Sequence, residues 1–125
     1  VKLTYVVNNW AGPIKKSWYQ PLDVNGKQEP RQNFCNCGHA NNCVTLNNGK
    51  FCTCAVAPYV YHFNNYFNQH FEFTKRDYID IYKAKDIDEI LSFLAKPIPF
   101  CKYCNLRAHK TLPYQISKKE ISEWI

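Results

Sequence analysis

Seven cysteines constrain this chain more than any other feature, because they fall in four short groups: Cys35-x-Cys37, Cys43, Cys52-x-Cys54 and Cys101-x2-Cys104. An odd number cannot be paired completely into disulfides within one chain. Val1 to Val7 has neither a basic n-region nor an apolar run long enough for a secretory signal. The expected setting is reducing and cytoplasmic, where closely spaced cysteines more often ligate metals than cross-link. A chain of 125 residues buries only about two-thirds of its unfolded surface, so a bound metal would be a useful staple.

Cys101-Lys-Tyr-Cys104 is the sharpest signal. Two intervening residues let both thiolates point at one centre while backbone amides of the turn donate to the sulfurs. A redox dithiol would instead need a helix N-terminus behind its first cysteine to depress the thiol pKa, and no helical periodicity follows Cys101. The approach is stiffened by Pro97-Ile-Pro99.

The second half of the expected site comes from a β-hairpin. Asn47-Asn48-Gly49 tolerates the positive φ of a tight turn and is flanked by Cys43-Val-Thr-Leu and Lys50-Phe-Cys-Thr-Cys, which predicts a hairpin over 43–54. Cys37 lies just before it and Cys54 ends it, so the turn brings the two together. Cys52 and Cys54 share a strand face by spacing; Cys52 is then either a further ligand or a small buried hydrophobe.

Elsewhere, Lys2 to Val7 alternates as a strand, and the run through Arg31, broken by Pro13, Pro21 and Asn25-Gly26, reads as a long loop with a tight turn. Pro58 followed by Tyr59, Val60, Phe63, Tyr66 and Phe67 predicts a helix over 58–67. Thr74 with Asp77 predicts a capped helix over Tyr78 to Tyr82, and Asp86 with Glu89 a second, bearing Ile87, Ile90, Leu91 and Leu94 on one face. Ser117 with Glu120 predicts a short last helix carrying Ile121, Trp124 and Ile125. The expected fold is α+β: a small β-hairpin and short helices around a cysteine metal site, with long irregular loops. Residues 1–125 form one module, with 1–32 as strand and linker loop and 33–125 as the cysteine-containing part. The abrupt start and the absence of Met suggest a fragment of a larger chain.

Cys37-x2-Ala40-x8-Gly49-x4-Cys54, a following helix and a distant Cys101-x2-Cys104 together resemble the SPASM/twitch auxiliary-cluster domains at the C-terminus of radical SAM enzymes. Cys37-Gly-His-Ala-Asn-Asn-Cys43, Tyr66-Phe67-Asn68, Asp77-Tyr-Ile-Asp-Ile-Tyr-Lys83 and Pro97-Ile-Pro-Phe-Cys-Lys-Tyr-Cys-Asn105 are similar to bacterial members encoded near glycosyltransferase and surface-polysaccharide genes. The resemblance runs from about Asn33 onward. It implies a 4Fe-4S cluster on Cys37, Cys54, Cys101 and Cys104, beside an N-terminal radical SAM barrel. Cys43, Cys35 and Cys52 are further candidate ligands. The implied role is electron transfer or substrate positioning for modification of a peptide or sugar-related substrate. The CxxxCxxC motif that cleaves S-adenosylmethionine is absent, so this chain does not initiate radical chemistry by itself.

Two other classes stand beside this one. The same four cysteines suit a structural zinc, as in modules for protein or nucleic-acid interaction. The net charge of +6 arises from scattered basic residues with no run longer than two, which argues against nucleic acid; Tyr103, Arg107, His109 and Lys110 are the residues that would stack on a single strand. Among the histidines His39, His62, His70 and His109, only His39, between Cys37 and Cys43, is placed to replace a sulfur. No Ser/His/Asp set, phosphate loop or paired-carboxylate motif is present, no apolar run spans a bilayer, and capping accounts for Asp77 better than a pairing with Asp80.

Overall fold

A computed structural model describes residues 16–40, 42–113 and 116–125; the strand expected over Lys2 to Val7 lies outside them. The fold is α+β. In chain order the elements are β1 (Lys16–Tyr19), α1 (Pro30–Asn36), β2 (Thr45–Asn47), β3 (Lys50–Cys52), α2 (Val60–Phe67), β4 (Ile79–Asp80), α3 (Ile87–Leu94) and β5 (Lys110–Pro113). Among the described residues two small antiparallel sheets result, β1-β5 and β2-β3-β4. Among the described residues no helix is long and apolar enough to cross a membrane.

The hairpin forms where expected but is shorter, with Thr45 opposite Cys52 and Asn47 opposite Lys50. Its turn places both Asn48 (φ 49°) and Gly49 (φ 74°) in the left-handed region, the requirement of a two-residue turn that matches strand twist. A Cβ on Gly49 would run into the Tyr82 ring.

Three local readings need correction. The helix expected over Tyr78 to Tyr82 is absent: Ile79 pairs with Phe51 and Asp80 with Lys50, adding β4 to the hairpin. The capping pair itself forms, the Asp77 carboxylate accepting from the Thr74 amide at 2.7 Å and hydroxyl at 2.8 Å and the Thr74 hydroxyl from the Arg76 amide, but it closes a turn that no helix follows. The stretch read as loop through Arg31 contains β1 and the start of α1; Pro30 occupies the first turn of that helix and Glu29 accepts from the Arg31 amide, a start signal that the surrounding turn residues masked. At the far end the chain makes only a 3-10 turn over Ile121–Glu123. There Glu123, rather than Glu120, takes the Ser117 hydroxyl and the Lys118 amide.

The other helices agree better. A 3-10 turn over Ala57–Tyr59 leads into α2, which ends at Asn68 in the left-handed conformation. Asp86 caps α3 by accepting from the Glu89 amide at 2.9 Å, while Glu89 reaches back to the Lys85 amide. The apolar face of α3 is largely uncovered, with Ile87 63% and Leu91 55% exposed.

The core gathers Cys52, Ala57, Val60, Phe71, Ile98, Phe100 and Tyr103. Tyr103 stands edge-on to Phe71 and Phe100, with ring centroids 4.9 and 5.3 Å away, a favoured aromatic geometry. Its hydroxyl accepts from the Glu72 amide. A buried Tyr103 has no face to offer a nucleic-acid base.

Candidate metal centre

The Cys101-x2-Cys104 segment is a 3-10 turn over Pro99–Tyr103, with Cys104 capping its end and donating its amide to the Cys101 carbonyl. Pro99 presets the first turn. Two buried polar side chains then fix the turn from outside. Asp77, fully buried, accepts from the Phe100 amide at 2.7 Å. Asn33 donates its side-chain nitrogen to the carbonyls of Cys101 at 2.7 Å and Cys104 at 2.6 Å. Neither role was legible in the sequence: Asn33 lies 71 residues before Cys104, and Asp77 looked like a local cap. The Pro-initiated helix α1, which packs on this turn, is the feature that would have pointed to Asn33.

Cys37 caps the C-terminus of α1. Cys54 lies two residues past β3, where the chain bends before the Ala57–Tyr59 turn. Its sulfur accepts from the Val56 and Ala57 amides, each at 3.4 Å, the kind of amide donation that stabilises a thiolate ligand.

Cys37, Cys54, Cys101 and Cys104 all line one cavity of about 350 Å³. Three separate stretches of chain thus deliver to one space the four cysteines singled out by the family resemblance. Phe34, Val60, Phe63, Phe100 and Trp124 contribute much of the remaining wall, so the four cysteines border a largely apolar space. His39 borders the same cavity.

The other three cysteines are placed elsewhere. Cys35 and Cys43 are exposed, and Cys52 is fully buried in the core. β3 ends at Cys52, so the two-residue alternation stops short of Cys54, and Cys52 does not line the cavity that Cys54 borders.

Burial sets the charge state of the thiols. It pushes Cys101 up to about 11 and Cys104 well above the ordinary thiol range, with neighbouring Cys54 and Cys37 adding to the rise at both. Burial raises Cys54 as well, against the opposing effect of its two amide donors. Cys52 is raised to about 12, again mainly by burial. Metal ligation requires thiolates, so a metal loaded into this cavity would release protons and would have to supply the charge compensation that the apolar wall does not.

The four cysteines that line the cavity are the donor type used by thiolate-bound centres. A single zinc ion holds sulfurs about 2.3 Å from one point. Among the described residues no three His, Cys, Asp or Glu side chains are grouped to hold a metal ion.

Compared with protein-family models, curated proteins and solved structures, the chain matches none.

Proposed function

We propose that this module carries a 4Fe-4S cluster on Cys37, Cys54, Cys101 and Cys104, and that it serves as an auxiliary cytoplasmic redox or substrate-positioning domain beside a radical SAM barrel in a larger chain. The observation that carries the reading is the convergence of those four cysteines on one apolar cavity. When bound, the cluster supplies one-electron chemistry, with a potential governed by burial and by hydrogen bonds to the sulfurs. The chain's contribution is to exclude water with Phe63, Phe100 and Trp124, to donate two amides to Cys54, and to hold the Cys101-x2-Cys104 turn through Asn33 and Asp77. The substrate class implied by the resemblance is a peptide or a sugar-related molecule.

Anaerobic purification with analysis of iron, acid-labile sulfide and zinc tests the proposal. Four irons and four sulfides per chain, as a cubane requires, with broad visible absorption, are the expected result. One zinc per chain without sulfide would replace the cluster by a structural zinc, and a metal-free cavity would end the metal-centre reading.

A further inference from the structure

Asn33 connects the two halves of the cysteine set. It is 8% exposed and sits on α1 one helical turn before Cys37, the residue that caps that helix. Its single side-chain nitrogen donates at 2.7 Å to the Cys101 carbonyl and at 2.6 Å to the Cys104 carbonyl. A carboxamide nitrogen has two hydrogens, and both are directed at the same turn. The rigid plane of the amide therefore fixes how far apart the two carbonyls lie and where they stand relative to α1. Each carbonyl belongs to a cysteine that borders the cavity.

We propose that Asn33 is a positioning residue that holds Cys101 and Cys104 in register with Cys37 before any metal arrives. The proposal rests on the metal-centre reading for its purpose; the preorganisation itself is a property of the metal-free chain. Ligands held in place lose less conformational freedom on binding, which is the general advantage of a preformed site.

A merely structural role would act through global stability, and the molecule contains a control for that. Asn64 on α2 makes a comparable pair of bonds, donating to the Phe71 carbonyl at 2.8 Å and accepting from the Phe71 amide at 3.0 Å. It does not border the cavity.

The test compares N33A, N33S and N33D with N64A in the full chain. In metal-free protein, peptide mass spectrometry follows the rate at which iodoacetamide labels each cysteine. The proteins are then reconstituted without oxygen using ferrous iron and sulfide, and iron content and visible circular dichroism are recorded. N33A and N33D are expected to label Cys101 and Cys104 roughly tenfold faster than wild type, the change that one net hydrogen bond brings. N33S, which keeps one donor, falls between, and Cys52 in the core labels no faster in any of them. The Asn33 variants lose cluster or change its dichroism, whereas N64A changes neither.

Wild-type labelling of Cys101 and Cys104 in N33A would overturn the proposal. So would acceleration of Cys52 in step with them, since that reports general loosening. If N33A does not fold, the ordering of N33S against wild type decides. A wild-type chain that takes up no iron and sulfide refutes the cluster reading alone, because the labelling rates still judge Asn33.

Discussion

On one side of the cavity, Cys101 and Cys104 ride a 3-10 turn pinned by bonds from residues 68, 71 and 23 positions away in sequence. On the other side, Cys37 caps a seven-residue helix, and its amide bonds to Phe34 just behind it. The turn that follows closes with Asn42 and Cys43 donating to the His39 carbonyl, and Cys35 and Cys43 face solvent. Long-range bonds from buried groups fix a backbone independently of any ligand, whereas bonds to sequence neighbours fix a shape but not its place in the fold. The Cys101 side is therefore the template; the end of α1 at Cys37 is tied to it through Asn33, and the turn that follows Cys37 rests on local bonds.

The largest expected effect is all or none. Cys101→Ser or Cys104→Ser should abolish iron and sulfide uptake, while Cys35→Ser and Cys43→Ser should leave both at wild-type levels; loss of metal in C43S would move the site toward the open side. Next in size is Phe100→Ala. Phe100 is 1% exposed, walls the cavity and joins the aromatic cluster, so its truncation should cost about 3–5 kcal/mol. Urea unfolding of the metal-free protein measures this, and a loss under about 1 kcal/mol would mean that the template side is not preformed.

Smaller effects sharpen the contrast by leaving the cavity alone. Gly49→Ala forces a left-handed alanine against Tyr82 and should destabilise the hairpin by about 1–2 kcal/mol. Asp86→Ala removes the cap of α3 at about 1 kcal/mol. Both should lower the thermal midpoint without altering iron content, and metal loss in D86A would show that α3 matters to the centre.

The smallest effect concerns acid. The Gln28 side chain beside Asp23, with amides of Asn25 and Lys27, holds the Asp23 carboxyl below its usual range. A lowered folded pKa gives stability that is present above the unfolded value and lost as pH falls through the folded one. D23N should therefore be slightly less stable at neutral pH and show a flatter decline in acid, read from thermal midpoints between pH 6 and pH 2, roughly the span of a titrating carboxylate.

How legible this was in advance varied with the distance over which each signal acts. Asn48-Gly49 announced the hairpin because a positive-φ turn is written into two residues. Asp86 with Glu89 announced α3 because a cap needs only neighbours. Thr74 with Asp77 carried the same local signature and formed the same local bonds, yet no helix followed, because the other carboxylate oxygen took the Phe100 amide and the following residues found β3. Local preference worth a few tenths of a kcal/mol yields to a paired strand and a buried bond.

The sequence by itself determined the class of chemistry, seven thiols in four groups with a CxxC turn, and the local elements that their flanking residues encode. Only the tertiary structure decided which four cysteines share a cavity, that Cys52 belongs to the core and Cys35 and Cys43 to the surface, and that Asn33 and Asp77 hold the turn. Spacing sets what neighbours can do together. Burial and long-range hydrogen bonds depend on which distant segments fold against one another, and no short motif encodes that.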